Sequence, residues 1–374
     1  MRKKRILLLS EGFGTGHTQA AYSLAVGLKH IAPDVQARVI ELGRFLNPTV
    51  GPLIFAAYRK TVSTQPKLVG LLYRKKYKKS LHRFTQLALH RIFYTQTSQV
   101  VNHLRPDAIV CTHPFPNIVI SRLKRSGLHV PLYTLITDYD AHGTWIDDEV
   151  SKYLVSADEV RDKLLARGIE SDRIVVTGLP VHPKFWSRQT QQEAQTSLGL
   201  KTMPTVMFMG GGWGLSINEE ALQYIAEWRE HVQFLFCMGS NSKTIQRMKQ
   251  DPLFQHPNIH VYGYTHDIPL MMDASDLLVT KPGGMTCTEG MIKGIPMLFY
   301  SPIPGQEEEN CDYFIDHGYG EMLTSHETLI AWFKRLQNDL SDVRITRQQR
   351  EFPTQLLEKC PRDVLELINN QMFG

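Results

Sequence analysis

The feature that most constrains how this chain can fold is a pattern that recurs along it. A short run of β-branched and apolar residues ends on a small or polar residue and leads into a glycine- or proline-rich loop and then a helical pattern. Arg5 to Ser10, Asp107 to Thr112, Pro131 to Thr137 and Arg173 to Thr177 read this way. The pattern restarts with Thr205 to Met209, Gln233 to Met238, Ile259 to Tyr262, Leu277 to Thr280 and Pro296 to Tyr300, after a turn-rich stretch holding Gly178, Pro180, Pro183, Gly199 and Pro204. Strands that alternate with helices feed parallel sheets. The reading is therefore α/β, with two sheet domains meeting near residues 178–204. Ligands of such sheets bind beyond the carboxyl ends of the strands, so two such domains are expected to face each other across a cleft lined by their βα loops. The last stretch, Phe352 to Phe373, spaces Leu356, Leu357, Val364, Leu365 and Ile368 as closing helices would.

At 374 residues, 42% hydrophobic and 21% charged, the composition is that of a globular protein. The basic opening Arg2-Lys3-Lys4-Arg5 precedes only Ile6-Leu7-Leu8-Leu9, too few apolar residues for a signal peptide, and no apolar run reaches the length of a membrane span. Cys111, Cys237, Cys287, Cys311 and Cys360 contain no C-x-x-C pair, which argues against structural zinc and a disulfide framework and fits a reducing cytoplasm.

The net charge of +5 conceals an asymmetry. Residues 1–184 hold 27 Lys and Arg against 14 Asp and Glu, whereas residues 185–374 hold 15 against 23. Between Glu41 and Asp107 there is no acidic residue, while the stretch from Arg44 to Arg91 is rich in Lys and Arg interleaved with Leu53, Ile54, Phe55, Tyr58, Leu72 and Tyr73. Such a segment suits an anionic lipid surface, with the apolar groups inserting shallowly and the cations facing headgroups. A solvated basic face is the plainer alternative. Nucleic acid is disfavoured, because no recognition module accompanies the charge.

Three loops carry the candidate chemistry. Gly12-Phe13-Gly14-Thr15-Gly16-His17 precedes a helix expected from about Thr18; it lacks the Lys-Ser or Lys-Thr of a Walker loop and misses the dinucleotide spacing. His17 at its end is placed to take a proton from a substrate hydroxyl, or merely to cap or pack. Gly210-Gly211-Gly212-Trp213-Gly214 follows an apolar strand and precedes a helix expected from about Leu215, a plausible diphosphate cradle. Thr280-Lys281-Pro282-Gly283-Gly284 leads into a helix with Thr288 and Glu289 about a turn in, where a carboxylate could accept from paired ribose hydroxyls. Next, Pro302-Ile303-Pro304-Gly305-Gln306-Glu307-Glu308-Glu309-Asn310 follows a strand and could bind sugar hydroxyls or simply open a solvated acidic helix.

Together with Thr137-Asp138, His142, Trp145 and Gly178-Leu179-Pro180-Val181, these motifs run in one order along nearly the whole chain. In that order the chain resembles the monogalactosyldiacylglycerol synthase and processive diacylglycerol glucosyltransferase family, relatives of the enzyme that adds N-acetylglucosamine to lipid I. The resemblance implies a GT-B fold of two Rossmann-like domains. Residues 1–180 with a C-terminal helix at about 353–374 would form the acceptor and membrane domain, and residues 181–352 the UDP-sugar domain. It implies inverting transfer of a hexose from a UDP-sugar to a membrane lipid hydroxyl, most simply that of diacylglycerol, with no metal or other cofactor. His17 and Asp138 match catalytic positions, and Gly14, His142 and Trp145 match the acceptor side. Gly16, Gly211, Gly212, Tyr264, Gly283, Gly284, Thr288, Glu289, Gln306 and Glu307 match the donor side. His182 stands where many relatives carry Arg, as a phosphate contact that can titrate. The implied location is the inner face of the cell membrane, with the segment from Arg44 to Arg91 as the docking surface. Alternative readings are a polyprenyl-linked or soluble acceptor, a UDP-sugar 2-epimerase, and a binding protein without turnover.

Overall fold

The computed structural model describes residues 3–12, 14–48, 96–210, 224–225, 227–350 and 352–372. Most of the basic segment and the glycine run after Gly210 lie outside the described residues. The chain divides into two compact units, one of Met1–Pro183, Ile303–Glu309 and Thr354–Gly374, the other of Lys184–Pro302 and Asn310–Pro353.

In the first unit, strands β1 (Arg5–Ser10), β2 (Gln36–Glu41), β3 (Ala108–Cys111), β4 (Leu132–Leu135), β5 (Lys152–Val155) and β6 (Ile174–Val176) form one sheet in the order β2-β1-β3-β4-β5-β6. Every pairing is parallel, with Leu7 opposite Arg38 on one side of β1 and Ile109 on the other. The central strands are buried at nearly every position because helices cover both faces of a parallel sheet. Leu7, Leu9, Ile109, Ile120, Leu132, Trp145, Tyr153 and Val155 share one core cluster. The helix Thr15–Ile31 buries Ala20, Leu24 and Leu28, exposes Tyr22 and Val26, and packs against β2 and the late helix Lys359–Met372.

The second unit repeats the plan with β7 (Thr205–Met209), β8 (Gln233–Cys237), β9 (Ile259–Tyr262), β10 (Leu277–Thr280), β11 (Met297–Phe299) and β12 (Gly320–Met322) in the order β12-β11-β10-β7-β8-β9. Its core centres on Phe208, Phe234, Phe236 and Phe333, with the Phe208 and Phe236 rings stacked at 5.1 Å. Both sheets reverse their direction of growth once, between β1 and β3 and between β7 and β10. Those are the topological switch points, where loops diverge and leave a crevice for a ligand. The loop carrying His17 follows β1, and the loop carrying Gly283 follows β10.

The second unit is pinned by buried charge at the amino-terminal end of its central strands, opposite the end that carries the Gly283 loop. Lys293, fully buried, donates to Asp273 Oδ2 at 2.7 Å and to the Ser187 carbonyl at 2.7 Å. Arg347 donates to the carbonyls of Met272, Asp273, Ser275 and Lys293, so one guanidinium caps the C-terminal ends of two helices, Ile268–Ala274 and Gly284–Ile292. Asp276 accepts from the Thr205 amide at 2.9 Å and from Arg344 at 3.0 Å. Removing one partner of a buried ion pair strands the other charge, at a cost of about 3 kcal/mol. Lys293→Met is expected to destabilise the second unit by about that amount, and Asp273→Asn in the same chain to restore part of it. Equal urea midpoints for Lys293→Met and the parent chain would contradict this account.

Candidate active site

The helix after β1 begins at Thr15, earlier than the position near Thr18 expected from the sequence. Gly14 is extended, at φ −146° and ψ 147°, and serves as N-cap without a side-chain acceptor, so Gly16 and His17 belong to the first helical turn. Neither Gly14 nor Gly16 has a left-handed backbone. A β-carbon at Gly14 would lie 3.7 Å from His17 Cδ2, an ordinary van der Waals contact, so neither packing nor φ demands glycine there.

His17 is held from several sides. Its Nδ1 lies 2.6 Å from Thr137 Oγ1, and its carbonyl accepts from Thr112 Oγ1 at 2.9 Å. The His113 ring meets it edge-on with centroids 4.8 Å apart, and Trp145 lies at 6.0 Å. His142 lies 5.9 Å from the same indole. Thr112 and His113 follow β3 and Thr137 follows β4, so the carboxyl ends of neighbouring strands converge on the ring. His113 caps the helix Pro114–Arg125, its Nδ1 accepting from the Phe115 amide at 3.1 Å. Asn117 joins Thr134 Oγ1, at 2.7 Å, to the Trp145 carbonyl, at 3.0 Å.

Burial keeps these imidazoles neutral. It lowers the pKa of His17 below the usual 6.5, against the pull of the Asp138 charge and the Thr112 main chain. Burial and the charges of His17 and His142 take His113 well below its usual value, and burial takes His142 to about 4. Asp138 is buried and its Oδ2 accepts from Gln306 Nε2 at 2.6 Å. Asp140, fully buried, accepts from Lys163 at 3.0 Å, and Lys163 also reaches Glu309 at 2.8 Å. Glu11, beside the glycine loop, is fully buried; its Oε1 accepts from the Gly43 amide at 2.5 Å while Oε2 has no hydrogen-bond partner among the described residues, and burial raises its pKa to about 8.

In the second unit, Gly283 caps the helix Gly284–Ile292 with an ordinary backbone, and a β-carbon there would meet nothing within 4 Å. Neither φ nor packing within the chain demands glycine at 283; the open space suits close approach of a ligand to the amides of the helix start. Thr288 is buried and donates to the Gly284 carbonyl at 2.7 Å. Glu289 is 6% exposed, burial raises its pKa to about 8, and no described residue hydrogen-bonds its carboxyl group. The unliganded form therefore favours the neutral acid over the carboxylate expected from the sequence. Tyr264, in the loop after β9, is 73% exposed. Gly211 and Gly212 lie outside the described residues, as does Trp213.

After β11 the chain turns through left-handed Ser301 (φ 42°) and Gly305 (φ 102°) into the helix Gln306–Asp316. Glu307 accepts from the Ile303 amide at 2.7 Å and Glu308 from the Gly305 amide at 2.8 Å, closing this turn on itself. His182 sits half-buried in the loop after β6. The structure thus gathers Gly14, Gly16, His17, Asp138, His142, Trp145 and Gln306 in one unit, and Gly283, Gly284, Thr288 and Glu289 on one helix start in the other. The sequence reading missed His113, Thr112, Asn117 and Glu11. The signal for His113 was present in Thr112-His113-Pro114, a polar pair at a strand end followed by proline at a helix start.

Residues 17–181 match the family model described as monogalactosyldiacylglycerol (MGDG) synthase, and residues 205–359 match the glycosyltransferase family 28 C-terminal domain. A protein of Staphylococcus saprophyticus named processive diacylglycerol beta-glucosyltransferase is 29% identical over 381 residues, spanning 99% of this chain and 94% of its own. The chain carries a monogalactosyldiacylglycerol synthase domain followed by a glycosyltransferase family 28 C-terminal domain. The first matched segment opens on His17 and takes in Asp138, His142 and Trp145, so the histidine cluster lies inside it. Among solved structures, MurG of Acinetobacter baumannii superposes with a TM-score of 0.60 at 14% identity, covering 98% of this chain and 99% of its own. A UDP-GlcNAc 2-epimerase of Neisseria meningitidis also gives 0.60, at 11% identity, covering 98% and 100%. These likenesses establish the GT-B fold, which transferases and epimerases share. Among the described residues, no group of three or more His, Cys, Asp or Glu could hold a metal ion, and no helix is long and apolar enough to cross a membrane.

The pKa shifts of the buried groups fix the pH response of the first unit. Histidines with lowered pKa contribute stability that is complete above about pH 6.5 and is lost as the pH falls, for His142 down to about 4. Glu11, raised to about 8, acts in the opposite sense: its contribution is complete below about 4.5 and lost as the pH rises through 8. Urea unfolding followed across pH 5 to 9 should show each limb, with a slope of up to about 1.4 kcal/mol per pH unit for each group. Glu11→Gln should flatten the alkaline limb and His142→Gln the acid one; limbs unchanged in both variants would refute the assignment.

Proposed function

We infer that the protein is a UDP-sugar-dependent glycosyltransferase that moves a hexose to the hydroxyl of diacylglycerol and so makes a glycolipid. The observation that carries the reading is His17, a neutral imidazole fixed at a sheet switch point, with Nδ1 tied to Thr137 and no hydrogen-bond partner for Nε2 among the described residues. A neutral imidazole with an available nitrogen is what general-base chemistry on an alcohol requires. Nε2 takes the hydroxyl proton, the oxygen attacks the anomeric carbon with inversion, and the bond from that carbon to the diphosphate breaks, releasing UDP. Asp138 stabilises the imidazolium that forms, and the half-buried His142 with Trp145 shapes the acceptor side.

On the donor side, the open helix start at Gly284 receives diphosphate beside Gly283, whose own amide donates to the Lys281 carbonyl, because the first amides of a helix and its positive dipole end favour an anion. Glu289 ionises as ribose hydroxyls supply the hydrogen bonds that its buried carboxyl group lacks. Gln306 and Glu307 turn to the transferred sugar, Tyr264 lies by the base, and Gly211, Gly212 and His182 lie by the diphosphate. In this reading the first unit activates the acceptor and the second holds the donor. The decisive assay presents a panel of UDP-sugars with diacylglycerol vesicles and measures UDP release and glycolipid. His17→Ala is expected to lower turnover at least about 1,000-fold while leaving UDP affinity within about twofold; near-parental turnover would remove His17 from the mechanism. Free monosaccharide formed without acceptor would instead select the epimerase reading.

We further infer that the acid-free stretch from Arg44 to Arg91 docks the enzyme peripherally on anionic lipid at the inner face of the cell membrane. Its support is the density of Lys and Arg among apolar side chains. Binding to vesicles should rise with the fraction of anionic lipid and fall as salt shortens the reach of surface charge. Equal sedimentation with neutral and anionic vesicles would rule this out.

A further inference from the structure

The hydroxyl of Thr137 makes a contact that the reaction scheme above does not yet use. It lies 2.6 Å from His17 Nδ1, and Thr137 itself is 3% exposed. A neutral imidazole carries one proton, and the partner of one ring nitrogen decides which nitrogen keeps it. If the proton sits on Nε2, that nitrogen has no lone pair and cannot act as a base. The other two histidines of the cluster are also fastened through Nδ1, His113 to the Phe115 amide and His142 to Thr144 Oγ1. In His113 the main-chain donor forces the opposite tautomer, because Nδ1 must accept.

We propose that Thr137 is the positioning residue of His17: its Oγ1 accepts the Nδ1 proton, so the lone pair stays on Nε2, and the surrounding rings hold the imidazole in that orientation. This inference rests on His17 being the base. The edge-on His113 ring at 4.8 Å and Trp145 at 6.0 Å restrict rotation, while the Thr112 bond to the His17 carbonyl fixes the backbone from which the ring projects. A hydroxyl does here what a carboxylate does in a catalytic triad, with one difference in chemistry. A carboxylate at Nδ1 can only accept and raises the basicity of the ring; a hydroxyl adds no charge and holds this tautomer when its own proton is turned away from the ring. The nearby negative charge comes instead from Asp138, which acts on His17 through space and is hydrogen-bonded to Gln306.

The test uses the full chain in three forms, parent, Thr137→Val and Thr137→Ser, with His17→Ala as control. Nitrogen-15 spectra of histidine-labelled protein, with the His17 signals assigned by their loss in His17→Ala, report the tautomer directly. The parent is expected to carry its proton on Nδ1, and Thr137→Val, nearly isosteric, to shift His17 toward the Nε2 form. Thr137→Val should lower kcat by about 10- to 100-fold with KM for both substrates changed less than about twofold, and Thr137→Ser should recover kcat to within about threefold of the parent. A role confined to packing would leave the tautomer unmoved and would not be rescued by serine. A parent His17 protonated on Nε2, or an unchanged kcat in Thr137→Val while His17→Ala is inactive, overturns the proposal and leaves His17 as base. Turnover in His17→Ala overturns the base assignment and this proposal with it. The parent spectrum decides the matter even if Thr137→Val fails to fold.

Discussion

The chemistry of this protein depends on sheets buried on both faces. A parallel strand covered by helices above and below has no exposed side at which to carry a functional group. Apolar residues fill β1, β3, β4, β8 and β10, and polar ones collect where the strands stop: Ser10 and Glu11, Thr112 and His113, Thr137 and Asp138, Thr280 and Lys281. Because each sheet reverses its order once, the loops that diverge at that reversal leave the room a ligand needs. His17 and Gly283 stand at those two places for the same reason.

The same constraint explains what could be read from the sequence. Strands whose positions are almost all buried are continuous apolar runs, and β1, β7 and β10 form over the residues expected of them, as does the less buried β9. The strands left unread are weak in that signal. β2, an edge strand with burial that largely alternates, spells Gln-Ala-Arg-Val-Ile-Glu; β5 is four residues long and opens on lysine; β12 is Gly-Glu-Met at the far edge. In the site, His17, Asp138, His142 and Trp145 were legible because each follows a strand end in a recognisable order. The hydrogen bond joining His17 to Thr137 spans 120 positions and depends on how β1 and β4 register through β3, which no local pattern encodes. The burial that makes Glu289 a weak acid was equally hidden, since charge state depends on the surroundings and not on residue type.

The two units hold their polar groups for different purposes. In the first, Thr112, Asn117, Thr134 and Thr137 bond neutral partners around uncharged imidazoles, an arrangement that fixes geometry without fixing charge. In the second, charged Lys293, Asp273, Arg344, Asp276 and Arg347 gather at the strand ends away from the Gly283 loop, where they tie helix ends to strand starts. The first arrangement leaves a ring able to take up a proton; the second makes a frame.

The route of the chain between the units has a consequence for biosynthesis. The first unit is not one stretch: its helix Thr15–Ile31 rests against Lys359–Met372, and Lys4 bonds Asn369. The guanidinium that caps two helix ends in the second unit belongs to residue 347, also late in translation. A nascent chain therefore emerges from the ribosome with the face of its first helix uncovered, and keeps it so until nearly all the second unit has been made. The second unit completes its frame first, although its sequence comes later. The chain thus leaves the ribosome with its first domain unfinished, and the interval before closure is when misfolding is most open to it.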